Sequence, residues 1–300
     1  MFKESFTLIR TAATHSLGLK PVLVKVVILE LVSVALLYFL NMQYGLIYQG
    51  IQDYNIPLIW KGVAFFSGLA GVLVFVGGLI TYFTNQLAFL IREGLLTALF
   101  FEPGTVSVPD NLGQRIQEDL KVFGEKSCEF WFAVFRSVLK LPIFVGVIIT
   151  LTHWWVGIVV VAAVVLGTYV TKLMANPLVK LQSIQESNEG NLRKTITDGD
   201  ILYSRLVFDS ITDMFSKINT QTKRLSFLQS GLGQGFVLLP FILLLPLYIS
   251  KAVTMGAFMQ AVNALGKVIE SLTVIIDQRQ LMVGIATSVA RIKQIHKEEK

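Results

Sequence analysis

Charge is what this sequence has least of. Only 15% of its 300 residues are Asp, Glu, Lys or Arg, while 53% are hydrophobic and 21 are Phe. Soluble globular chains carry roughly 25% charged residues. Together with a mean hydropathy of +0.64, the deficit excludes disorder, a fibrous repeat and an ordinary soluble enzyme, and leaves a polytopic membrane protein. Cysteine is nearly absent. The single Cys128 excludes an intrachain disulfide and a multi-cysteine metal cluster, and reads as a packed thiol. His15, His153 and His296 stand too far apart in sequence for a metal motif. There is no G-x-x-x-x-G-K-[ST]; FGEKS at 123–127 lacks both the spacing and the loop. H-E-x-x-H and G-x-S-x-G are also missing. The chain is therefore expected to be no enzyme, not to hydrolyse ATP by itself, and to need no cofactor or metal. No cleavable signal peptide is visible in MFKESFTLIRTAATHSLGLK, which is mixed polar and amphipathic.

Long apolar runs are what it has most of. A helix needs about 20 mostly apolar residues to cross a bilayer, and six stretches qualify: Pro21–Gln49, Leu58–Ile91, Phe130–Thr152, Trp154–Met174, Phe227–Ile249 and Met255–Val283. The predicted fold is all-α, with six transmembrane helices. Residues 1–20 read as an amphipathic elbow helix and 21–300 as the transmembrane domain. Its polar connections, about 92–129 and 175–226, have helical pattern and little Gly or Pro, so the helices are expected to run on as stalks. Eight Lys/Arg lie between Lys172 and Arg224, and Arg291, Lys293, Lys297 and Lys300 follow Ala290, whereas the opposite turns offer little beyond Lys61 and Lys251. By the positive-inside rule the stalks and both termini are cytoplasmic. The net charge of +6 follows from the same rule and does not call for a nucleic-acid partner.

Ionisable groups at membrane depth are costly and face a cavity or a partner. At 100° per residue, Glu118, Glu125, Glu129, Arg136 and Lys140 fall on one stripe running from the stalk into the third span. A solvated face explains its outer part equally well; Arg136, inside WFAVFRSVLKLPIF, calls for a water-filled vestibule or a helix–helix ion pair. In the sixth span Gln260, Asn263, Lys267, Glu270 and Asp277 share one face. They line a hydrophilic pathway or hold the bundle together, and Lys267 and Glu270 are spaced to pair. Glu30 stands among apolar residues of the first span, with Lys25 its nearest charge. A buried carboxylate with no fixed partner is a proton-binding candidate; a structural ion pair is the alternative. The fourth span is uncharged and β-branched, with no chemistry. Gly231, Gly233 and Gly235 follow no strand, which excludes a dinucleotide site and suggests close helix packing or a bend.

Three segments carry a family resemblance. NLGQRIQEDLKVFGE (111–125) resembles the Q-R-I-x-x-D segment of the SbmA/BacA peptide-uptake transporters and their ABC relatives. Glu186 with EGNLRKTITDGD (189–200) resembles the acidic E-x-x-F-R element of their second stalk. TMGAFMQAVNALGKVIESLT (254–273) resembles the run that opens their last span. The resemblance implies an ABC-exporter-like transmembrane domain without a nucleotide-binding domain. Such a protein is a multi-pass, homodimeric transporter of the bacterial inner membrane that takes up peptide antibiotics or similarly bulky, amphiphilic, cationic solutes and is driven by protons. It further implies Glu118, Asp119, Glu186 and Glu189 as coupling or gating candidates, and Gln114, Arg115 and Arg193 as stalk-motif residues. Beside them, the residues themselves nominate Glu30, Glu129 and Glu270 for proton coupling, and Arg136, Lys140, Gln260, Asn263, Lys267 and Asp277 for the cavity. The partners expected are a peptide substrate, membrane lipid and a second copy. The alternative is a membrane subunit energised by a separate ATPase subunit.

Overall fold

The computed structural model describes residues 2–98, 110–197, 199 and 201–298. Short turns join its helices among these residues: α1 (Phe2–His15), α2 (Leu19–Gln52), α3 (Ile56–Leu96), α4 (Asp110–Leu151), α5 (Trp154–Thr197), α6 (Ile201–Ile249), α7 (Met255–Asp277) and α8 (Arg279–Glu298). Five helices are long and apolar enough to cross a membrane, contributing Leu19–Gln52, Ile56–Leu96, Gln117–Leu151, Trp154–Thr171 and Leu202–Ile249. They outrun the bilayer. At 1.5 Å per residue the 41 residues of α3 extend roughly 62 Å, about twice a hydrocarbon core of ~30 Å. The expected stalks are thus continuous with the spans. The expected sixth span differs from the prediction: it is divided at Gln278 into α7 and α8.

The chain forms two compact units, 1–157 with 244–300, and 158–243. In the first, a buried cluster draws Ala12 from α1, Val26 from α2, Leu95 from α3, Leu120 and Phe123 from α4 and Ile285 from α8. Close helix approach needs glycine at particular points. A Cβ on Gly94 would collide with the backbone of Ala12, and one on Gly124 would sit 2.7 Å from the carbonyl oxygen of Ala88. The α2–α3 turn is closed locally: Asn55 Oδ1 accepts from the Leu58 amide at 3.1 Å, with proline in the first turn. In the second unit, Leu178, Ile218 and Leu225 form a small core, and Gly167 admits the ring of Phe236, which a Cβ would meet at 2.9 Å. Gly199, at φ 77°, takes the left-handed conformation between α5 and α6. Among the described residues, Gly231, Gly233 and Gly235 have no neighbour within 4 Å of an added Cβ. They are not close-packing sites there, contrary to one reading of their spacing.

Candidate functional site

The polar residues of α2, α4 and α7 converge in the first unit. Arg136 and Lys140 are one turn apart on α4 and so share its face, but they reach different neighbours. Arg136 grips Glu30 of α2 in a bidentate pair, Nε to Oε2 at 2.7 Å and Nη2 to Oε1 at 2.5 Å. Glu30 is 0% exposed. The two parallel N–H···O bonds supply what a buried carboxylate otherwise lacks. Lys140, itself buried, donates from Nζ to Glu270 Oε1 of α7 at 2.7 Å, and Lys267 donates to Oε2 of the same carboxylate at 3.0 Å. The i,i+3 pair expected between Lys267 and Glu270 is present. The neighbouring charges are engaged elsewhere: Lys25 lies over the Phe83 ring, 5.2 Å from its centroid, and Asp277 accepts from Thr273 Oγ1 at 2.9 Å.

Glu30 therefore meets the second of its two expectations, the helix–helix ion pair, rather than standing alone. The other acidic candidates divide by depth. Asp119 is nearly buried and accepts from Arg291 Nη1 of α8 at 3.2 Å, a partner that spacing did not suggest. Glu118 and Glu129 are exposed on α4. Glu189 is exposed on α5 and accepts from Gln185 at 2.9 Å. The side chains of Gln114, Arg115, Glu186 and Arg193 lie outside the described residues.

At the other end of α7 the chain is clamped to α2. Gln52 Oε1 accepts from the Met255 amide at 2.7 Å, capping the first turn of α7. Gly256 meets the Gly45 backbone, and Gln260 Oε1 fills the space beside Gly45, 2.6 Å from where a Cβ would stand. Asn263 is half-buried one turn further on. One residue of this surface escaped the sequence reading. Asn41 on α2 is 2% exposed, and neither its amide nitrogen nor its oxygen has a partner among the described residues. Its signal was available: eleven residues after Glu30 is three turns, which returns to the same helix face.

Comparison with known proteins agrees with this architecture. The chain is 26% identical to an uncharacterized ABC transporter ATP-binding protein of Synechocystis, over 62% of its own length and 30% of that protein. It is 20% identical to ABC transporter D family member 2, chloroplastic, of Arabidopsis thaliana, over 68% of its length and 31% of the relative. Against an uncharacterized ABC transporter ATP-binding protein of Haemophilus influenzae the figures are 23%, 77% and 45%. The chain thus spans less than half the length of these relatives. The pattern of the family described as ABC transporter transmembrane region 2 matches residues 14–197, more than half of the chain. This multi-pass helical membrane protein belongs to the ABC transporter transmembrane region 2 family.

Proposed function

We propose that the chain forms the membrane pathway of an ABC-type transporter for bulky amphiphilic solutes, peptides among them, driven by ATP hydrolysed in another segment or another polypeptide. The observation that carries this reading is the pairing at span depth. Glu30 and Glu270 hold fixed cations from neighbouring helices, an arrangement suited to fastening helices together in one conformation and releasing them in another. It is poorly suited to free proton carriage. The names of the ABC transporter ATP-binding relatives support an ATPase as the energy source. Two copies are proposed to enclose the path. Glu270 is 51% exposed and Lys267 32%, and lipid cannot solvate such groups. The Lys/Arg distribution supports cytoplasmic termini, and the bacterial inner membrane is the proposed location.

A second reading is proton-driven peptide import by a homodimer. It is favoured by the SbmA/BacA resemblance and by the half-exposed Glu270, a carboxylate that water can reach. Inside-out vesicles from cells making the protein separate the two, with vesicles lacking it as control. Transport of a labelled amphiphilic peptide that requires ATP and survives an uncoupler supports the first reading. Transport that a pH gradient alone drives overturns the first and supports the second. No protein-dependent transport under either condition overturns both.

A further inference from the structure

Lys25 is a cation at span depth that holds an aromatic ring in place of a carboxylate. It lies six residues into α2, about 9 Å along the axis from Leu19. Its Nζ sits 5.2 Å from the centroid of Phe83 in α3. The nearest acid in sequence, Glu30, has both oxygens taken by Arg136. Five residues turn a helix by about 140°, so Lys25 and Glu30 face nearly opposite ways: one is exposed, the other buried. No carboxylate among the described residues pairs with Lys25. Phe83 is packed against the buried cluster, which fixes the ammonium in the groove between α2 and α3. A ring covers one side of an ammonium and leaves donors on the other. Gln86, one turn further along α3 on the face of Phe83, is exposed, and its side chain makes no hydrogen bond among the described residues. Around this polar pair the surface is apolar. Val24 and Ile28 of α2 and Tyr82 and Phe89 of α3 are all more than half exposed. Lys20 is exposed five residues before Lys25, while Glu93, the exposed acid on that flank of α3, lies about 15 Å along the axis from Phe83. The groove is therefore positive.

We propose that the α2–α3 groove at Lys25 is a binding site for an anionic phospholipid of the surrounding bilayer. One phosphate oxygen accepts from Lys25 Nζ and a second from the side-chain amide of Gln86, while the acyl chains lie along the exposed apolar residues beside them. The phosphate neutralises a cation that hydrocarbon cannot solvate. A zwitterionic lipid does this less well, because its own cation competes for the same phosphate. The lipid is a bound companion of the first unit, held on the face of α2 opposite Glu30. It is not cargo, and the site does not depend on what moves through the protein or what drives it.

Native mass spectrometry of the full chain, released from detergent micelles, reads bound lipid and copy number together. The protein is titrated with dioleoyl phosphatidylglycerol and, as the zwitterionic counterpart with the same tails, dioleoyl phosphatidylcholine. The wild type is expected to bind phosphatidylglycerol more tightly, at one site per copy. Lys25→Gln is expected to weaken that binding by about tenfold, the value of one charge-assisted hydrogen bond. Its phosphatidylcholine binding should be unchanged, which also reports that the variant is folded. Gln86→Leu is expected to weaken phosphatidylglycerol binding by about threefold, as for one neutral hydrogen bond. Lys61→Gln, an exposed lysine near the opposite end of α3, is the control and should change nothing. Equal affinity for the two lipids, or the same loss in Lys61→Gln as in Lys25→Gln, would reflect general attraction of anions to a basic protein and overturns the site. Phosphatidylglycerol carried by single copies but absent from dimers in the same spectrum gives the groove to a second copy and also overturns it. Should Lys25→Gln fail to fold, Gln86→Leu decides: a weakened preference supports the site, and an unchanged one overturns it.

Discussion

Glu30 sits where an unmatched charge is least tolerable, fully buried within a helix that spans the bilayer. Removing one member of a buried ion pair strands the other, at a cost of about 3–5 kcal/mol. Arg136→Met is expected to lower the unfolding temperature in detergent sharply, and adding Glu30→Gln to it should recover most of the loss. A double variant no more stable than Arg136→Met alone would mean that the stranded carboxylate is not the cause. The Asp119–Arg291 pair makes the contrast. Arg291 is largely exposed, so Asp119→Asn should change stability by less than about 1 kcal/mol in the same melt; a loss several times larger would place this contact among the buried pairs. At this scale the sequence was partly legible. Helical spacing alone put Arg136 and Lys140 on one face and matched Lys267 with Glu270. It could not match Arg136 with Glu30, 106 residues away, because only the packing of α2 against α4 brings them together. Asn41 was passed over because its one companion on that face, Glu30, lies three turns away.

Between elements, glycine decides how near two helices come. Gly256 of α7 lies against the backbone of Gly45 in α2, whereas Gly68 of α3 has open space around it among the described residues. Gly256→Ala must push backbone against backbone and is expected to cost about 1–3 kcal/mol. Gly68→Ala meets nothing and should be neutral or stabilise by up to about 1 kcal/mol, the usual gain in a helix interior. Thermal melts of the two variants side by side decide it, and equal effects would refute the close approach. The boundary between the first two spans was read within a few residues, expected at Gln49 and Leu58 and found at Gln52 and Ile56. The break within the sixth was missed. The break at Gln278 falls in DQRQ (277–280), with neither Gly nor Pro to announce it. A continuous apolar pattern to Val283 therefore predicted one helix where there are two.

For the whole molecule, one buried cysteine is an experimental convenience. Cys128 is 3% exposed, so the folded protein should react slowly with a maleimide and fully once denatured. Against that quiet background, new cysteines report orientation. With the termini inside, Lys251→Cys should be labelled from outside intact cells by an impermeant maleimide, and Arg291→Cys only after the membrane is opened. The reverse pattern would invert the topology. The all-helical class and the long extensions were legible because apolar length and helical period persist over tens of residues. The division into two compact units was not, since its limits at 158 and 243 fall within α5 and α6 rather than at the end of an element. The length of α4 has one more consequence. From Arg136, where it is fastened to α2, back to its first residue Asp110 is a rod of about 39 Å. Pivoting by ten degrees about that fastening would sweep the far end through about 7 Å, more than a full helical turn. A change of partner among a few side chains in the span is thereby geared up into a stroke at the stalk tip, and a push at the tip is geared down into a small, forceful adjustment at the ion pairs.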